Sequence, residues 1–223
     1  MNERSTRCPP RLRILSAVLA VAMILTLLPV TAFATTQYKT IGRVQYVQYD
    51  GAIIWRVIGY SGSESSLTLE SQIYGQNVYI IDEGVFKNKT NLTQVTLPAN
   101  LGDIYDEAFA GCANLTSPDI PKSLKMIGAR AFQGCTSLKN IVWNGRSWVT
   151  ADTSAFAGCT SLESVIMSGT PVTLEDNAFE GCTSLKSVEL GGSSIEIGNN
   201  VFKNCTSLEE ITLPKEIESF GDN

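Results

Sequence analysis

From Phe86 onward the apolar positions return at an interval of 23 residues, far longer than the periods of a single helix or strand. The segments GVFKNKTNL, EAFAGCANL, RAFQGCTSL, SAFAGCTSL, NAFEGCTSL and NVFKNCTSL carry Phe86, Phe109, Phe132, Phe156, Phe179 and Phe202, spaced 23, 23, 24, 23 and 23 apart. Beyond each phenylalanine comes a leucine (Leu92, Leu115, Leu138, Leu162, Leu185, Leu208), then Val95, Pro118, Ile141, Val165, Val188 or Ile211. Two residues later stands Leu97, Ile120, Trp143, Met167, Leu190 or Leu213. The end of this Leu-x-x-Val-x-Leu run alternates, which predicts a short strand in every copy. Pro98, Pro121 and Pro214 stop the strand in three copies. A second apolar pair, such as Leu101 and Ile104 or Leu124 and Ile127, precedes the next phenylalanine. The Ala-Phe-x-Gly-Cys stretch reads as a short helical turn, with Gly111, Gly134, Gly158 and Gly181 at its exit.

A coil of this length cannot bury its own apolar side, so coils stack and equivalent residues form ladders. The expected fold is a β-rich leucine-rich-repeat solenoid with one short strand and one short helical turn per coil of 23 residues. Stacked strands lie ~4.8 Å apart, which makes the phenylalanines one continuous spine. Burying each ring contributes ~2–3 kcal/mol.

The ends depart from the repeat. Val44 to Tyr60 forms two alternating runs around Asp50-Gly51, a tight-hairpin dipeptide. Gly59 to Ser66 reads as a loop, and Leu67-Thr68-Leu69 opens an incomplete coil that runs to Ile81. Residues 35–81 are therefore expected to be the N-terminal cap, a β-hairpin plus this incomplete first coil. Residues 82–223 are expected to be the solenoid, about six coils with the last one incomplete. Leu213, Pro214, Ile217 and Phe220 begin a further coil without its Ala-Phe corner.

Residues 1–34 read as a signal peptide. Arg4, Arg7, Arg11 and Arg13 form a basic start, Ile14 to Val30 an apolar run, and Ala32-Phe33-Ala34 a small-x-small cleavage site at Ala32 and Ala34. The alternative is a transmembrane anchor, against which stand Pro29 and the cleavage site. Cleavage leaves 13 of the 17 basic and 21 of the 22 acidic residues, a net charge of −8. Such a surface repels phosphate backbones and anionic lipid, so neither nucleic acid nor a membrane is an expected partner.

Chemistry is sparse. There is no histidine, which removes the usual general base and metal ligand. Acids such as Glu163, Glu189 and Glu209 recur at solvent-facing repeat positions. No enzyme and no cofactor is expected. Cys112, Cys135, Cys159, Cys182 and Cys205 each occupy the same place in their coils, so they line up rather than converge on a metal. A ladder of small buried hydrophobes is the favoured reading, with disulfides between neighbouring coils as the alternative.

A binding surface is left. Between the apolar strand positions, one outward row holds Thr96, Asp119, Val142, Ile166, Glu189 and Thr212. Beside it runs a second row of Gln94, Ser117, Asn140, Ser164, Ser187 and Glu210. Together they form the candidate binding face for an extracellular protein or glycan, with Val142 and Ile166 as a small apolar spot.

Ala-Phe-x-Gly-Cys-x-x-Leu, the Leu-x-x-Val-x-Leu-Pro strand and the Ile127-Gly128 step together resemble the BspA-like bacterial leucine-rich repeats. The resemblance covers roughly residues 44–221, including the lead-in from Ile58-Gly59-Tyr60 through Val78. It implies a secreted or cell-surface bacterial protein and an adhesive, protein-binding role; the alternative is a passive spacer or a fragment of a larger envelope protein. Lys89 in place of the first cysteine, Pro118 at a strand core position and the Trp143-to-Trp148 copy depart from the pattern.

Overall fold

The computed structural model describes residues 35–222; residues 1–34, expected from the sequence to be a signal peptide cleaved at Ala32 and Ala34, lie outside the described residues. The N-terminal strands are β1 (Gln37–Ile41), β2 (Val44–Gln48), β3 (Trp55–Tyr60), β4 (Ser66–Thr68), β5 (Gln72–Ile73) and β6 (Gln76–Ile81). The coils then supply β7 (Gln94–Thr96), β8 (Asp103–Ile104), β9 (Met126–Ile127), β10 (Asn140–Asn144), β11 (Val149–Ala151) and β12 (Ser164–Gly169). They are followed by β13 (Val172–Leu174), β14 (Ser187–Gly192), β15 (Ile195–Ile197), β16 (Glu210–Thr212) and β17 (Ile217–Phe220).

The complete coils thus have two strand positions, not one. The anticipated Leu-x-x-Val-x-Leu strands form a parallel sheet β10-β12-β14-β16 and a separate pair β4-β7. The second position, at the Leu-x-x-Ile pair before each corner, forms the longer sheet β1-β2-β3-β6-β8-β9-β11-β13-β15-β17. Its members β8 and β9 hold only Asp103–Ile104 and Met126–Ile127, too short for alternation to be visible in sequence. At its head, β1, β2 and β3 run antiparallel, and β3 hands over to parallel pairing with β6. This meander covers the first apolar layer of that sheet.

Apolar side chains of both sheets meet along one continuous core. Phe86, Phe109, Phe132, Phe156 and Phe179 are fully buried in it. Neighbouring rings stack with centroids 4.9, 5.1, 5.4, 5.1 and 5.9 Å apart and planes within 12° of parallel, Phe202 ending the series. Such pairs add ~0.5–1.5 kcal/mol each beyond burial. Tyr60 closes the N-terminal end of the stack, 5.3 Å from Phe86 and tilted by 51°.

The corner that carries each phenylalanine is not helical. It is a run of tight turns, such as Ala110 N–H to Glu107 C=O and Cys112 N–H to Phe109 C=O. Its other N–H groups are committed to the next coil: Glu107 to Ala129, Phe109 to Ala131 and Gly111 to Gln133. A helix would need those same donors inside the segment. The corner is bracketed by two left-handed residues. The first falls at Gly84, Glu107, Arg130, Ser154, Asn177 and Asn200; the second at Asn88, Gly111, Gly134, Gly158, Gly181 and Asn204. Positive φ at both ends stops helical propagation. Gly128 and Gly198, at the Ile-Gly step, are needed for a different reason. A Cβ there would lie 2.8 Å from the main-chain nitrogen of Asp106 or Asp176 in the preceding coil.

Coils are also joined by side chains. The five cysteines among the described residues are all free, and each thiol donates to the phenylalanine carbonyl of the preceding coil: Cys112 to Phe86, Cys135 to Phe109, Cys159 to Phe132, Cys182 to Phe156 and Cys205 to Phe179. Burial pushes the Cys112 thiol up to about 11 and the Cys159 thiol up to about 12. Lys89, which stands where the first cysteine would be, lays its ammonium over the Tyr60 ring at 5.4 Å. Glu107 pairs with Lys87 of the preceding coil and Arg130 of the following one.

Candidate binding face

Strand alternation sends Ile141, Trp143, Val165, Met167, Val188 and Leu190 into the core, which turns the intervening residues outward. Parallel pairing then aligns those outward residues. Val142, Ile166, Glu189 and Thr212 lie in register, as do Asn140, Ser164, Ser187 and Glu210. Eight of the twelve residues singled out from sequence therefore sit in two straight rows on one four-stranded face. Ser164 donates to the Asn140 side chain at 2.8 Å, which ties two members of the second row together.

The other four sit beside this sheet but not in it. Gln94 and Thr96 are on β7, which pairs with β4. Ser117 and Asp119 are exposed on a segment that forms no strand. The cause is Pro118 between them. In a parallel register the N–H at that position would be given to the adjoining strand, and proline has none. The sheet is therefore split, and Ser117 compensates in part by accepting the Asn140 N–H on its hydroxyl at 3.3 Å. A shallow groove of about 280 Å³ remains at the break, walled by Pro118, Ile120 and Lys122 on one side and by Asn140, Val142 and Asn144 on the other.

Val142 stands at this groove and is 49% exposed, whereas Ile166 beside it is half-buried. The apolar spot therefore consists chiefly of Val142. A third outward row, Asn144, Ser168 and Gly191, extends the face, with Ser168 donating to Asn144 at 3.0 Å. These positions continue the same alternation by one step, past the apolar residue that ends the Leu-x-x-Val-x-Leu motif. Acids punctuate the face at Asp119, Glu189 and Glu210, and Glu163 at its margin pairs with Lys186 at 3.6 Å. No group of three or more His, Cys, Asp or Glu side chains is placed to hold a metal among the described residues.

Several solved structures share this architecture. A leucine-rich repeat protein of T. pallidum aligns with a TM-score of 0.62 and 28% identity, over 77% of this chain and 91% of that one. A leucine-rich cell surface protein of Faecalibacterium prausnitzii aligns with a TM-score of 0.60 and 25% identity, over 78% of this chain and 54% of that one. A leucine-rich repeat protein of Eubacterium ventriosum gives 0.65 and 28%, over 81% of this chain and 48% of that one. This chain thus spans about half the length of the last two. No curated protein matches it. The model of the BspA-type leucine-rich repeat region matches residues 58–152 and 147–223, in six copies. With the repeat corner, the paired strands and the phenylalanine spine all present, the chain belongs to the BspA-type leucine-rich repeat family.

Proposed function

We propose that this chain is an exported, non-enzymatic recognition module that binds a protein or glycan outside the cell through the face of β10, β12, β14 and β16. The observation that carries this reading is the pair of in-register outward rows, polar throughout except at Val142 and Ile166. A rigid sheet holds such side chains in fixed positions, so little conformational entropy is lost when a partner docks. An exposed aliphatic residue beside a groove, ringed by hydrogen-bonding groups, has the composition of an interface anchor. Export is supported by the leader pattern of residues 1–34 and by the F. prausnitzii relative, which is described as a cell surface protein.

Binding of the chain to immobilised extracellular matrix proteins and glycans tests this function. Specific, saturable binding that Val142→Asp weakens at least tenfold is the expected result. Saturable binding indifferent to substitutions on all four strands would remove the face from consideration. A second reading, a passive spacer in a longer surface protein, is favoured by the two relatives that extend well beyond the region this chain matches. It predicts no saturable binding at all.

A further inference from the structure

The meander that covers the first layer of the long sheet does not extend to the other one. Strand β4 pairs with β7 and, among the described residues, has no strand on its opposite side. Which of its main-chain groups face that open side follows from the bonds around it. Ser65 C=O accepts from Thr93 and Gln94, and Leu69 N–H donates to Thr96, so positions 65, 67 and 69 address β7. The N–H and C=O groups of Ser66 and Thr68 therefore point away from β7. Glu70 confirms the alternation, because its N–H points the same way and donates to the Tyr46 hydroxyl at 3.2 Å.

Thr68 lines a groove of about 380 Å³ on that side, and Ser66 stands beside it on the same edge of β4. One wall is the start of the meander, with Ile41, Arg43 and Val44; the other is β4 itself, with Leu67 and Thr68. The groove thus offers the main-chain donor–acceptor pair of Thr68 and an apolar lining, and Ser66 adds a second pair along the same strand edge. Glu64 and Glu70 flank it against the single guanidinium of Arg43. The Tyr60 hydroxyl donates to Glu64 at 2.6 Å and holds that carboxyl below its usual range, which keeps it ionised.

We infer that the open edge of β4 is a docking site for an extended peptide strand that carries a basic side chain. An unpaired strand edge is recognised through main-chain bonds made by an added strand, and specificity comes from pockets for its alternate side chains. Here the apolar pocket takes one side chain between Leu67 and Ile41, and the excess of carboxylate over guanidinium selects a cation. The site is separate from the β10–β16 face and stands or falls independently of it.

The full-length protein, labelled with ¹⁵N, is titrated with the blocked pentapeptide amide acetyl-Lys-Val-Thr-Val-Lys. Two copies of the peptide, N-methylated on alternate nitrogens, are run beside it. Saturating amide shifts are expected at Ser66, Thr68 and the Ile41–Tyr46 wall. One methylated copy should bind at least about fivefold more weakly, because it loses the donors facing β4, while the other should bind nearly as well. Glu70→Lys should weaken binding of the parent peptide and strengthen that of a copy with glutamate in place of lysine. Equal binding of both methylated copies, shifts confined to other surfaces such as β10 and β12, or no shift at Ser66 and Thr68 up to millimolar peptide would each overturn the inference.

Discussion

The thiol of Cys135 donates to the carbonyl oxygen of Phe109, one coil earlier, across 3.2 Å. The ladder cysteine is therefore both a small core residue and a link between successive corners. The Phe109 carbonyl also accepts the Cys112 N–H, so losing the thiol does not strip it of every partner. Cys135→Ala should cost ~1–2 kcal/mol, the value of a small cavity. Cys135→Asp should be much worse, because it buries a charge that has no counterion. Urea midpoints of the two variants measure the difference, and equal values would place the residue outside the core.

Raised thiol values give the fold an alkaline limit. Unfolded thiols titrate near ~8.5, whereas folded Cys112 and Cys159 titrate at about 11 and about 12. Below the unfolded value both states hold the proton and the stabilisation is complete. As pH rises above it the unfolded chain loses protons first, so stability falls through this window until the folded thiols titrate. Denaturation midpoints should decline steadily from about pH 8.5 towards about pH 12. The decline should be shallower when Cys112 and Cys159 are both replaced by Ala.

The spine should dominate mechanical integrity of the core. Phe132→Ala or Phe156→Ala removes a ring stacked on both faces and should destabilise by ~3–5 kcal/mol. Glu163→Ala removes only an exposed carboxylate and its surface ion pair with Lys186, and should stay within ~0.5 kcal/mol. Denaturant midpoints that fail to separate these classes would count against the stacked core.

Corner geometry makes a sharper distinction at Gly134, which has φ of +71°. A Cβ there would meet only the Gly111 Cα, at 4.0 Å, so space is sufficient and the cost is conformational. Gly134→Ala should lose ~1–2 kcal/mol. Gly134→Asn should lose less, because Asn88 and Asn204 already hold the equivalent corner at φ of 60° and 61°. Thermal unfolding of the two variants orders them.

Much of this architecture was legible in sequence because it repeats. The Phe86-to-Phe202 interval fixed both the coil length and the stacked core, and the Leu-x-x-Val-x-Leu alternation correctly located β10, β12, β14 and β16. Two features were not legible. The Ala-Phe-x-Gly segment has helical composition, but its N–H groups bond the next coil, and intercoil bonding leaves no local trace in residue type. The second strand of a coil is a mere pair at Asp103–Ile104 and Met126–Ile127 and only three residues at Val149–Ala151, Val172–Leu174 and Ile195–Ile197, too short for alternation to stand out without the Leu-x-x-Val-x-Leu frame. Pro118 was visible as an irregularity; its effect, a split in the sheet that leaves Val142 at a groove, depends on which strand its missing donor would have served.

The corner bonds have a further consequence for a protein held at its ends. Phe109 to Ala131, Phe132 to Ala155 and Phe156 to Ala178 all run along the stacking axis. Tension between the termini therefore loads the coils in series, and each can be peeled away while its neighbours keep their own bonds. Releasing one coil of 23 residues frees roughly 75–80 Å of extended chain. Under force the solenoid acts as a ratcheting shock absorber that pays out in regular steps, and a pulling trace should show sawtooth increments of that size.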